Sequence, residues 1–244
     1  MIKRFFKWIK SLFCKSKKAK RAYELVWKDN LLLERWEDCL PGKSSWNKYM
    51  TGVPLLLTAE GGFTRFLCDR IPDGYQTSGV RTADYLPDGK IVVMARFRSG
   101  HATWPAIWLC SKNTSKNYDD YFEIDLSEYY ETRDNTETTY HFPKSMRKEC
   151  KSQNVKTEIN PEDWNTFVCE WNDSELSVSI NGKKVWSLKN DGDPDVFPID
   201  EYQRRFCLIL SMQYGNKWLS EPVDDELPLW MDVKNVKYYK LIKK

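Results

Sequence analysis

Three carboxylates crowd one short stretch, Tyr121-Phe122-Glu123-Ile124-Asp125-Leu126-Ser127-Glu128. Acidic and apolar residues alternate in it, a strand pattern that sends successive side chains to opposite faces. Glu123 and Asp125 therefore share a face. Strict alternation would give the next place on that face to Ser127. Glu128 joins the other two only if the strand carries one extra residue, a β-bulge near Leu126-Ser127. Carboxylates held close together cannot all ionise easily, so their pKa values are driven apart. Two carboxyls so separated are what cleavage of a glycosidic bond requires, one as nucleophile and one as general acid and then base. An exposed acidic strand or a metal-binding edge would show the same six residues, and the pattern alone does not choose between these readings.

The elements that would hold such a strand are short β runs separated by turn residues. Residues 91–97 run into Arg98-Ser99-Gly100, and residues 177–180 meet Asn181-Gly182 before residues 183–188. The last of these is a hairpin signal, because Asn-Gly accepts the left-handed conformations of a two-residue turn. Residues 206–212 and 233–242 read as two more strands, and helical periodicity is scarce in the body. This spacing predicts an antiparallel sandwich.

The chain has 244 residues, enough for one large β domain with an appendage, and its 41% hydrophobic content can fill a sizeable core. Its 11 Trp and 13 Tyr suit both an all-β core and surfaces that stack on sugar rings. The net charge of +3 is unevenly spread. Residues 1–28 hold ten Lys or Arg against Glu24 alone, and the remainder holds 28 basic against 34 acidic residues. An acidic body argues against nucleic acid as a partner. Seven cysteines with no C-x-x-C pair argue against a disulfide framework or a zinc site, and fit a reducing compartment.

Residues 1–21 stand apart. Ile2, Phe5, Phe6, Ile9, Leu12 and Phe13 form a helical stripe, with Lys3, Arg4, Lys7 and Lys10 on the other positions. The stretch lacks the uninterrupted apolar run of an export signal and is too charged to span a bilayer. It reads as an amphipathic helix and basic linker that meets either an anionic membrane surface or a protein partner. Cys14 stands where an acyl chain could be attached.

Residues 22–240 resemble family 16 of the glycoside hydrolases, segment by segment and in order. Tyr23-Glu24-Leu25-Val26-Trp27 resembles the opening strand, and Thr77-Ser78-Gly79 the tight turn of the family. Gly89 and Arg96 keep the spacing of a G-x-x-x-x-x-x-R strand, and residues 103–109 are close to a T-W-P-A-F-W-L segment. The acidic stretch is similar to the bulged E-x-D-x-x-E signature. Trp164-Asn165-Thr166-Phe167 with Glu170-Trp171, residues 208–218 and residues 231–239 resemble the later strands. Each piece alone is weak, and the ordered combination is specific.

The resemblance implies an all-β, concanavalin A-like jelly roll of two antiparallel sheets, assigned to residues 22–244; the helix of residues 1–21 is read from its periodicity alone. It implies a retaining endo-β-glycosidase acting on a β-1,3-glucan-like or galactan-like polysaccharide, with Glu123 as nucleophile, Glu128 as acid/base and Asp125 between them holding a proton. Trp104, Trp108, His141 and Trp218 are the implied sugar-binding residues, and no cofactor or catalytic metal is implied. By alternation Trp104, Ala106 and Trp108 share one face, which is either cleft or core. Three departures carry expectations. Phe122 replaces a glycine and should narrow the rear of the cleft. Met212-Gln213-Tyr214-Gly215 should crowd one end of it. Lys234 replaces an acidic residue that helps hold a structural calcium in several members, which argues against calcium here. A transglycosylase on the same site, or a non-catalytic sugar-binding or virion-type jelly roll, remain alternatives. An intact carboxylate triplet speaks against the non-catalytic one. With no export signal read, release by lysis or carriage on a virion would bring such an enzyme to its substrate.

Overall fold

The computed structural model describes residues 22–31, 34–39, 56–59 (backbone only), 62–112, 114, 117–217 and 219–242. The helix expected over residues 1–21 and the expected sugar-binding Trp218 lie outside the described residues. Sixteen strands follow one another along the described chain. They are β1 (Ala22–Asp29), β2 (Trp36–Asp38), β3 (Leu56–Ala59), β4 (Phe63–Ile71), β5 (Gly74–Gln76), β6 (Gly79–Thr82), β7 (Gly89–Arg98) and β8 (Thr103–Ser111). Then come β9 (Glu123–Glu128), β10 (Asn135–His141), β11 (Gln153–Glu158), β12 (Asn165–Trp171), β13 (Glu175–Ile180), β14 (Lys183–Lys189), β15 (Phe206–Tyr214) and β16 (Leu229–Ile242). One short helix, α1 (Pro143–Met146), follows β10.

The strands form two antiparallel sheets, the jelly-roll sandwich that the residue spacing and the resemblance predict. One runs β14-β13-β12-β7-β16-β4-β3, with β1 added on β16 and β5 on β4; the other runs β11-β10-β9-β8-β15-β6-β2. Strand β7 shows why they pack. Its residues alternate buried and half-buried along its length, so Ile91, Val93, Ala95 and Phe97 enter the core while the residues between them face out. From the facing sheet come Ile107, Leu109, Ile124, Leu126, Leu208 and Leu210. Gly89 lies where β7 crosses β16: a Cβ there would stand 2.3 Å from the carbonyl oxygen of Tyr239, a contact only glycine avoids. The Asn181-Gly182 turn joins β13 to β14 with both residues at positive φ, 51° and 79°, as a two-residue hairpin requires.

Strand β15 is buried along its whole length. Its even positions fill the core and its odd positions lie under the opposite, cleft-bearing face. That face belongs to β8, β9, β10 and β15, and it carries the candidate site.

Candidate active site

The bulge in β9 decides which carboxyls meet. Against β8, Asp125 pairs with Trp108, Ser127 with Ile107 and Glu128 with Ala106. Three residue steps on β9 thus match two on β8, and the same slip occurs against β10. Leu126 and Ser127 are both buried toward the core, Leu126 in the apolar cluster and Ser127 bonded to Thr136 Oγ1 at 2.7 Å. Two successive inward residues return Glu128 to the face of Glu123 and Asp125. The bulge therefore sits where the alternation of the sequence demands it.

Along the backbone Glu123 and Glu128 remain four strand steps apart, roughly 13 Å. Hydrogen bonds show how the side chains close that gap. Glu128 stands opposite Glu137, yet its Oε2 accepts from Thr139 Oγ1 at 2.7 Å. Thr139 is the partner of Asp125, so the Glu128 carboxyl leans one pleat back toward Glu123. Its Oε1 accepts from Tyr130 Oη at 2.7 Å, and the Tyr130 ring stacks on Trp104 with centroids 5.2 Å apart. At the other end, Tyr121 donates a hydrogen bond to Glu123 Oε2. His141 bridges the pair beside it, its Nε2 lying 3.6 Å from Glu123 Oε1 and 3.5 Å from Asp125 Oδ2. Its Nδ1 is held by Ser152 Oγ at 2.6 Å.

Burial sets the protonation of this cluster. It pushes the Glu123 carboxyl up to about 7, against the opposing hydrogen bond from Tyr121. Burial raises Asp125 well above the usual carboxylate range, and the charges of Glu128 and Glu123 push the same way. Burial also raises Glu128, while the bonds from Thr139 and Tyr130 hold it down. Burial lowers His141, with the charge of Glu128 opposing. The group therefore holds protons near neutrality, divided among carboxyls in unlike surroundings. Glu123, Asp125 and His141 also present one donor atom each within 4.8 Å of one another, a set that could grip a cation.

The carboxyls line a cavity of about 470 Å³ together with Trp104, Trp108, Tyr118, Tyr121, Met146 and Gln213. Both tryptophans are only half-buried, so the Trp104-Ala106-Trp108 face is the cleft face. Trp108 is fixed by its Nε1 donating to Ser211 Oγ at 3.3 Å. His141 lies in the same cavity. One expectation is corrected, and a second holds for one residue of its run. Phe122 does not narrow the cleft: it is fully buried in the core cluster, because it shares the parity of Ile124. Of the run 212–215, Met212 and Tyr214 also go to the core, and Gln213 reaches the cavity. Lys234 is exposed, with its ammonium 5.5 Å from the Trp164 ring centroid. The polar partners Tyr121, Tyr130, Thr139 and Ser152 were not singled out in the sequence. Only the parity of Tyr121 with Glu123 and of Thr139 with His141 hinted at them.

The described fold is a jelly roll whose bulged inner strand β9 aims three carboxyls into an aromatic-walled cavity. The chain belongs to the glycosyl hydrolases family 16, whose family model matches residues 42–223. Among characterised proteins it is similar to the keratan-sulfate endo-1,4-beta-galactosidase of Sphingobacterium multivorum, 26% identical over 237 residues. That match covers 90% of this chain and 56% of the relative, so the chain spans little more than half of the relative's length. In fold it resembles a structure from work on endo-acting O-glycanases with which members of the human gut microbiota initiate mucin breakdown, at TM-score 0.77 and 20% identity, covering 90% of this chain and 100% of that one. It also resembles the laminarinase of Rhodothermus marinus, at TM-score 0.76 and 19% identity, covering 91% of this chain and 99% of that one.

Proposed function

We propose that the chain is an endo-acting β-glycosidase that cleaves internal linkages of a polysaccharide with retention at the anomeric carbon. The observation that carries this reading is the β9 bulge, which brings Glu123, Asp125 and Glu128 onto one wall of the tryptophan-lined cavity. Glu123 is the nucleophile. Its carboxylate attacks the anomeric carbon while Glu128 gives its proton to the departing sugar oxygen, leaving a covalent glycosyl-enzyme. Glu128, now ionised, takes a proton from the water that releases the sugar. Asp125, the least able of the three to ionise, sits between the two on the same face and holds a proton that offsets negative charge when the nucleophile is freed. Trp104 and Trp108 stack on sugar rings. His141 and Trp218 complete the proposed sugar contacts, Trp218 from its sequence position alone.

For substrate, the galactosidase relative and the laminarinase fold neighbours point to a β-galactan or a β-1,3-glucan. A panel of keratan sulfate, laminarin, mixed-linkage glucan, agar, carrageenan and mucin glycans, read by new reducing ends, tests this. Internal cleavage of at least one is expected, with the first-formed anomer matching the substrate linkage by NMR. An inverted product would remove the double-displacement scheme. Glu123→Gln should abolish turnover yet still bind oligosaccharide. Glu128→Gln should keep activity only on substrates with very good leaving groups, and azide should rescue it with retention.

A further inference from the structure

Past Trp108, the cleft face carries two thiols that the proposed reaction leaves unused. Cys110 continues the row Trp104, Ala106, Trp108 along β8, and Cys207 stands directly opposite it on β15. Both cysteines are free, and their sulfurs lie 3.4 Å apart. On its other side Cys110 is the cross-strand partner of Glu123. The dithiol is therefore one strand away from the proposed nucleophile, at the same level of the sheet.

The two sulfurs are in unlike surroundings. The hydrogen bond from Cys110 lowers the Cys207 thiol below its usual range; burial opposes this and the charge of Arg81 assists. The same hydrogen bond, together with burial, holds the Cys110 thiol well above that range. One sulfur is thus disposed to ionise and the other to keep its proton, the division found where one thiol attacks an oxidant and a neighbour resolves the product. Cys110 is half-buried, and Cys207, beside it on β15, is 1% exposed. A third thiol, Cys39, packs against Cys207, but burial pushes it up to about 12, so it stays protonated.

We propose that Cys110 and Cys207 form an oxidisable dithiol that hydrogen peroxide closes to a cross-strand disulfide, and that closure slows turnover at Glu123. The Cys207 thiolate attacks one peroxide oxygen. The O–O bond breaks, Cys207 becomes a sulfenic acid, and the departing hydroxide takes up a proton to leave as water. The Cys110 sulfur then attacks the sulfenic sulfur. An S–S bond forms, the S–O bond breaks, and the hydroxyl departs with the Cys110 proton as a second water. Two thiols lose two electrons and two protons, and one peroxide becomes two waters.

Directly opposed residues of an antiparallel pair have Cα atoms about 4.5–5.5 Å apart, within the roughly 4.4–6.8 Å span of disulfides. The sulfurs need close only from 3.4 Å to about 2 Å. That displacement falls on the residue paired with Glu123, and a misplacement of about 1 Å at a reacting group can cost on the order of a hundredfold in rate. The linkage itself is independent of the glycosidase reading; the effect on turnover rests on it.

The test uses the full reduced chain, treated with near-stoichiometric hydrogen peroxide and mapped by mass spectrometry. The expected result is a loss of two hydrogens, a peptide joining Cys110 to Cys207, and a several-fold fall in rate, all reversed by dithiothreitol. Cys110→Ser and Cys207→Ser should give no such peptide and a peroxide-insensitive rate. Should the buried Cys207 variant not fold, the half-buried Cys110 variant still decides. Two free thiols after oxidation, or a link through Cys39, would overturn the site. A Cys110–Cys207 link with an unchanged rate would overturn its coupling to Glu123. If no polysaccharide is cleaved, the glycosidase reading and the effect on turnover fall together, and the peptide map still decides the site.

Discussion

Glu123 loses most of its contact with water on folding and gains one hydrogen bond, from Tyr121. Its carboxyl rises from an ordinary 4.5 to about 7. Below pH 4.5 it is protonated in both folded and unfolded chains and costs nothing. Between 4.5 and about 7 the unfolded chain ionises first, so the folded state binds more protons and stability falls as pH rises. Above that window the cost is constant. The side chain keeps 18% of its surface accessible, which places the cost at about 1–3 kcal/mol rather than at the limit for complete burial. Glu123→Gln removes it. The variant should therefore melt several degrees above the wild type at pH 8, with the difference vanishing near pH 4, as calorimetry across pH would read. Tyr121→Phe should do the reverse for catalysis. Without the hydrogen bond that holds Glu123 down, the acidic limb of kcat/KM should move to higher pH, and melting at pH 8 should fall, because the same rise enlarges the cost of ionising the buried carboxyl. Trp108→Ala should weaken oligosaccharide binding in calorimetric titration. Because the ring is only half-buried, it should cost less than the roughly 3–5 kcal/mol of a core tryptophan.

At the scale of elements, β9 is where sequence and structure speak most directly. The spacing of Glu128 conflicts with a period of two, and only a bulge at Leu126-Ser127 resolves the conflict; the register has it there. The Asn181-Gly182 hairpin was legible for a similar reason, since its residues accept the positive φ that the turn imposes. Phe122 was misread because its place in the family pattern was followed, whereas its parity with Ile124 sends it to the core. Ser152 was hidden for a different reason. It meets His141 through the register of β11 against β10, and no local pattern encodes that register. The bulge itself yields a prediction. Deleting Ser127 leaves Leu126 opposite Ile107 and Glu128 still on the cleft face, at the loss of the bond to Thr136. This variant should fold and keep measurable activity. Inserting one alanine between Asp125 and Leu126 makes the alternation regular without a bulge, which turns the apolar Leu126 to the cleft face and carries Glu128 a full pleat further from Glu123, and should lower the melting temperature and abolish turnover.

For the whole molecule, charge divides the chain. Residues 1–28 hold ten Lys or Arg against one Glu, while the rest holds 28 basic and 34 acidic residues. Among the described residues the first sheet contact is that of Ala22 in β1 with Ile242 of the last strand. The apolar stripe and lysines of residues 1–21 are what a segment meeting either an anionic surface or a protein partner would carry, and we propose the surface as the reading to test first. Each Lys or Arg near such a surface contributes on the order of 1 kcal/mol, screened beyond a Debye length of about 10 Å at 0.1 M salt. The full chain should therefore co-sediment with phosphatidylserine-containing vesicles at low salt and be released at high salt. A chain starting at Ala22 should stay in the supernatant under both conditions, with its melting temperature and hydrolytic rate on soluble oligosaccharide unchanged. If the full chain ignores anionic vesicles at low salt, the segment serves a protein partner instead. If the shortened chain melts well below the full one, the segment packs against the sandwich, and its basic residues serve the fold rather than a surface.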